Sequence, residues 1–207
     1  MPRLETVDVK RFRVVKKEIR VLGIDDGVFV PQKKGKATIV GVVYRGGLWL
    51  DGVMSTQIEV DGLDATEKIA SMILDSPHYP QLRVIMLNGL TFAGFNVVDI
   101  KKLYEKTDLP IIAISREKPD LNEIKKALEN LPNKDKRWNA MKNAGEIFKV
   151  DMGKSGGKIY AQMAGIAQKD ALKIIKVTST RSYIPEALRV AHIIASGLTS
   201  LRESSKH

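Results

Sequence analysis

Three β-rich runs in succession, Ile19 to Ile24, Ala37 to Tyr44 and Leu48 to Val60, stand before the first segment with helical spacing. Gly46-Gly47 between the second and third is a tight-turn signal, so the chain predicts an antiparallel trio at its start. The period then changes. In DATEKIASMIL at 64–74, Ile69, Met72 and Ile73 recur at helical spacing, with Asp64 placed to cap and Glu67 in the capping-box position. Short unbroken apolar runs at 83–87 and 109–115 alternate with helical patterns at 97–105 and 121–131, which implies parallel crossovers. Ile147 to Val150 and Lys158 to Met163 flank MGKSGG as an added hairpin in the C-terminal half. YIPEALRVAHIIASGLTSLRE opens on Pro185 and repeats apolar residues at helical spacing, so a last helix packs on the sheet. The expected fold is an α/β mixed sheet, three antiparallel strands then parallel strands, flanked by helices.

With 207 residues, 43% of them hydrophobic, the chain has material for one full core and is expected to form a single domain. It has 34 Lys and Arg against 24 Asp and Glu, a formal charge of +10 that favours polyanionic partners such as nucleic acid. No cysteine is present, which removes disulfides, thiolate metal sites and thiol nucleophiles. The charged start MPRLETVDVKRFRVVKKEIR is no signal peptide and no segment has the unbroken apolar length of a membrane helix, so a cytoplasmic protein with no membrane contact is expected.

RVLGIDDGVF at 20–29 ends an apolar strand in two adjacent carboxylates. An ionised carboxylate beside a buried strand is costly to desolvate without a partner. At the end of such a strand it can hold Mg²⁺ or Mn²⁺, which take oxygen ligands; Asp-Asp-Gly is equally a good turn. GKSGGK at 153–158 has a Gly-Lys-Ser, but Phe148 stands where a phosphate loop needs glycine, so Lys154 and Lys158 read as a basic turn able to touch a phosphate backbone. Trp138 beside Lys134, Lys136 and Arg137 is a candidate nucleic-acid contact as well as a packing residue. His78, His192 and His207 are scattered and have no carboxylate at ligand spacing in sequence; His192, amid Val190, Ala191 and Ile193, reads as a structural histidine.

VLGIDDGVF at 21–29, IVGVVYRGGLWLDGV at 39–53, VDGLDATEKIASMI at 60–73, VIMLNGLTFAGFNVVDI at 84–100, LPIIAISREKPD at 109–120 and VTSTRSYIPEALRVAHIIASGL at 177–198 together resemble the archaeal family numbered ninety-nine among domains of unknown function. That family is related to endonuclease V in the ribonuclease H-like superfamily. The resemblance implies a ribonuclease H-like fold and a divalent-metal-dependent cut in nucleic acid, with Asp25 of Gly23-Ile24-Asp25 as first ligand. It implies a second carboxylate before the helix after strand three, where Glu59, Asp61 and Asp64 are offered; Asp64 or Asp61 is expected. The Asp-Gly that ends strand four in endonuclease V is Asn88-Gly89 here, which makes Asn88 a weak third ligand. The place of a loop histidine before the last helix holds Thr180-Arg181-Ser182, so Arg181 is expected to clamp phosphate. The Pro-Tyr wedge of endonuclease V has no counterpart in STQIEVDG, and inosine specificity is not implied. Asp26 is expected to hydrogen-bond the backbone rather than bridge metal. Two rivals stand beside the nuclease: a binding protein that kept the fold and lost the chemistry, and a small-molecule or protein-interaction module in which TFAGFN at 91–96 is a structural loop or a recognition surface.

Overall fold

The computed structural model describes residues 9–30, 34–153 and 157–204, the side chains of 199–204 apart. Strands β1 (Arg20–Asp26), β2 (Lys36–Arg45) and β3 (Trp49–Glu59) form the expected antiparallel ribbon. Then follow α1 (Ala65–Leu74), β4 (Val84–Asn88), a two-stranded hairpin of β5 (Thr91–Phe92) and β6 (Asn96–Val97), α2 (Ile100–Thr107) and β7 (Ile111–Ser115). The chain continues through α3 (Leu121–Leu128), α4 (Lys134–Asn143), β8 (Phe148–Asp151), β9 (Lys158–Ala164), α5 (Gln168–Thr178) and α6 (Glu186–Ser204). The main sheet runs β3-β2-β1-β4-β7-β9-β8, with β1, β4 and β7 parallel and the added hairpin closing the far edge antiparallel to β7.

Alternation along the strands divides the core into two layers. Leu22 and Ile24 face α1 and α2, whereas Val21, Val84 and Met86 face α5 and α6; each is removed from water, which stabilises the fold by about 1.5–3 kcal/mol per large apolar side chain. Gly23 shares the second face. A Cβ there would lie 2.6 Å from the Leu188 amide nitrogen and closer still to the Ala187 carbonyl carbon, so glycine lets α6 rest directly on β1. Ala187, Ala191 and Ala195, all buried, form the matching small-residue stripe of the helix.

Some boundaries differ from expectation for identifiable reasons. The helix expected from Val97 begins at Ile100, because Asn96 and Val97 pair with β5 and the Asp99 carboxylate caps the helix on the Lys102 amide. The capping box at Asp64 does not form. Its Oδ1 accepts instead from the Glu59 amide at 3.2 Å and the Asn96 side-chain amide at 2.6 Å. Helices α4 and α5 were not anticipated. In α5, Ala171, Ile174, Ile175 and Thr178 are buried on one stripe. Among the described residues no helix is long and apolar enough to cross a membrane.

Candidate active site

Asp25 is the penultimate residue of β1 and only 2% exposed, on the face that carries α6. Its Oδ1 accepts from the Asp26 amide at 3.0 Å, and its Oδ2 lies 2.9 Å from His192 Nδ1, on α6. An ionised carboxylate only accepts, so it orients the ring with Nδ1–H inward and directs Nε2 outward. The imidazole is 56% exposed, which leaves that second nitrogen open to a reacting molecule. Gly23 and the alanine stripe set this contact, since they fix how closely α6 approaches β1. His192, expected as a structural histidine, partners Asp25 from 167 positions away in sequence.

Parallel register pairs Ile24 with Leu87, so Asn88 stands beside Asp25 on the neighbouring strand end, on the α6 face. A carboxylate and an amide oxygen side by side suit a hard divalent ion, which commonly takes one or two carboxylates and fills its shell with water and substrate phosphates. Oxygen donors of these two types are the kind Mg²⁺ or Mn²⁺ would take. Among the described residues no three His, Cys, Asp or Glu side chains gather around one position. Glu59 shares the α6 face by strand parity, but Lys36, its partner on β2, lies three residues past Ile39, the partner of Asp26.

Asp61 and Asp64, the expected second ligands, do other work. Asp61 Oδ1 accepts from the Phe95 amide at 2.9 Å, and the Asp61 amide donates to the Ala93 carbonyl at 2.9 Å. With Asp64 on Asn96, the two acids anchor the β5–β6 hairpin rather than face Asp25. Asp26, whose side chain points to the opposite face from Asp25, binds the same hairpin: its Oδ2 accepts from the Ala93 amide at 2.6 Å, the backbone role expected of it. Burial, with Asp25 alongside, pushes its pKa up to about 6 from 3.8.

The expected phosphate contacts separate. Arg137 is 2% exposed and donates to the Pro132, Gly62, Asp61 and Phe95 carbonyls, so its guanidinium is consumed inside the protein and cannot reach nucleic acid. Trp138 is partly buried under the Lys125 ammonium, 5.9 Å from the ring centre. Arg181 is exposed, but it follows Thr180, whose hydroxyl donates to Gly47 in the β2–β3 turn at the opposite end of β1. Lys158 stands two residues beyond Tyr160, the partner of Ser115, so it lies at the Asp25 end of the sheet; Lys154 falls outside the described residues. Lys36, Arg116 and Lys118, exposed at that same end, add charge that no motif had marked.

This strand order, with helices on both faces and an acid at the end of β1, is a ribonuclease H-like fold of the endonuclease V type. Endonuclease V of Bacillus subtilis superposes with a TM-score of 0.64 at 9% identity, covering 97% of this chain and 89% of that one. Endonuclease V of Ciona intestinalis, solved with a 24mer DNA containing inosine followed by a ribo-adenosine, gives 0.56 at 13% identity over 91% and 87%. A protein of unknown function from Archaeoglobus fulgidus gives 0.79 at 38% identity, covering 87% of this chain and 98% of that one. The chain belongs to the endonuclease dU family, whose sequence model matches residues 17–199. A UPF0215 protein of Methanosarcina mazei is 53% identical over 185 residues, 89% of this chain and 93% of the relative.

Proposed function

We propose that this protein is a divalent-metal-dependent endonuclease that cuts a phosphodiester bond in nucleic acid near deoxyuridine, the nucleoside its family's description names. The observation that carries the reading is the buried Asp25 at the end of β1, held against His192 beside Asn88. Asp25 and Asn88 would hold Mg²⁺ or Mn²⁺. Such an ion supplies Lewis acidity toward a phosphoryl oxygen and lowers the pKa of water. Asp25 fixes the His192 ring, whose outward Nε2 is placed to take a proton from the attacking water or return one to the leaving oxygen. Lys36, Arg116, Lys118 and Lys158 would draw the polyanion to this end of the sheet.

Asn88 favours one second reading, a protein that binds nucleic acid without cutting it, because an amide brings no charge to hold the ion. Labelled DNA and RNA strands, each with and without deoxyuridine or inosine, are incubated with Mg²⁺, Mn²⁺ or EDTA. The nuclease reading expects metal-dependent cuts at deoxyuridine that vanish in Asp25→Ala. Salt-sensitive binding without cutting, with cleavage gained by Asn88→Asp, would establish the binding protein instead.

A further inference from the structure

On the other side of the β1 tip from Asp25, a cavity of about 480 Å³ opens between the segment after β1, the β5–β6 hairpin and the end of α3. Phe29, Phe95 and Leu131 line it with apolar surface, and Asp61 and Asn130 bring polar groups. Both phenylalanine rings are only half-buried, so each keeps a face for a ligand. Gly94, at φ +87°, sits against the Asp61 carboxylate, where a Cβ would collide; glycine keeps that wall open and the acid in place. One Asp61 oxygen is taken by the Phe95 amide, which leaves the second as the acceptor. Asn130 is exposed at the rim.

We propose that this cavity is the receptor for an extrahelical deaminated base, with uracil as its ligand, a reading that rests on the nuclease function proposed above. The cavity has ample room for a planar ring, and its lining offers that ring aromatic surface. Polar chemistry selects which ring. Uracil presents a ring N–H flanked by two carbonyls, matched by an anionic acceptor, Asp61, and an amide donor, Asn130. Cytosine turns a ring lone pair to the carboxylate, a repulsive contact, whereas the Asn130 amide can turn its oxygen to the amino group, so discrimination rests on Asp61. Deamination converts the rejected edge into the accepted one. Position agrees as well. Phe29 is four residues after Asp25, within about 14 Å along an extended chain, so a base seated here leaves its own strand within reach of the Asp25 site. Asp26 joins the two through its bond to Ala93, next to Gly94 and Phe95.

The test measures binding of the full chain in EDTA, so that it does not depend on cleavage. Fluorescence anisotropy compares single-stranded 20-mers that differ only in one dU or dC. Tighter binding of dU by about tenfold or more is expected, as one matched polar edge supplies. Asp61→Asn, which tolerates the left-handed backbone and keeps an acceptor for Phe95, turns an amide donor toward the ring and should abolish the dU preference or turn it toward dC. Asn130→Ala, at an exposed position, removes a partner that either base can use and should weaken both by similar factors; thermal melting checks that both variants fold. Equal affinity of the wild-type protein for dU and dC, or a dU preference that survives Asp61→Asn, overturns the proposal even where cleavage is confirmed. A dU preference in a protein that cuts nothing would retain the receptor and remove the nuclease.

Discussion

Gly23→Ala tests how the site is assembled without touching any group that does chemistry. The new Cβ would stand 2.6 Å from the Leu188 amide nitrogen, against backbone that cannot rotate away, where ordinary contact begins at 3.4 Å. Helix α6 must therefore retreat by about 1 Å, since close-packed interiors leave no slack. Overpacking of this kind costs about 1–3 kcal/mol, which for a domain of this size lowers Tm by roughly 3–10 °C. The same retreat takes His192 Nδ1 from 2.9 Å to beyond hydrogen-bond reach of Asp25 Oδ2. A displacement of about 1 Å in a catalytic group commonly costs about 100-fold in rate. The assay is kcat/KM for cleavage of deoxyuridine DNA together with calorimetric Tm. Gly41→Ala is the control. Its Cβ would meet the Met54 Cγ at 2.9 Å, the Leu22 Cδ1 at 3.2 Å and the Met72 Cε at 3.3 Å, side chains rather than helix backbone and all on the face away from α6, so about 1–2 kcal/mol and an unchanged rate are expected. Gly23→Ala protein with the wild-type Tm and rate would refute the reasoning that helix contact sets the Asp25–His192 geometry.

Two further outcomes follow from buried polar groups. Asp26 has a raised pKa in the folded chain, so between 3.8 and about 6 the folded state holds a proton that the unfolded chain has lost, and stability falls as pH rises through that window. Asp26→Asn keeps an acceptor for Ala93 and removes the charge; in EDTA it should exceed the wild-type stability by up to about 3 kcal/mol above pH 6 and converge with it near pH 4, as read by urea unfolding. A constant difference across that range would show that burial of Asp26 is not the cause. Arg137→Met leaves four carbonyls without their donor and should cost about 3 kcal/mol or more of stability, while affinity for DNA without uracil, measured well below Tm, stays within twofold. Weakened binding in a fully stable variant would return Arg137 to the nucleic-acid surface.

Much of the scaffold was legible because its signals are local. The three β-rich runs, the Gly46-Gly47 turn and the buried runs at β4 and β7 each follow from residues near in sequence, and Gly-x-Asp at 23–25 located the acid at the strand end. His192 was not legible in that way, since its partner lies across the whole chain. A trace of it existed in the stripe Ala187, Ala191 and Ala195, which marks a helix packed tightly on a strand and places His192 at the margin of that contact. Arg137 was misread through its neighbours Lys134 and Lys136, although Arg137, Ala140 and Met141 lie at the spacing of one buried face. Asp61 and Asp64 carried the right residue type in the right region. What sequence could not supply was the β5–β6 hairpin, whose amides and side chains claim them. In α5 the buried residues Ala171, Ile174, Ile175 and Thr178 stand at helical spacing, a signal local to the sequence.

The central claim is that Asp25 and Asn88 form the seat of a divalent ion. Anomalous diffraction from crystals soaked in millimolar Mn²⁺ tests it most directly. A peak is expected between the Asp25 carboxylate and the Asn88 side chain, and it should disappear in Asp25→Ala crystals. Nuclease activity accompanied by no peak at Asp25, or by a peak at Asp61 and Asp64 instead, would contradict it.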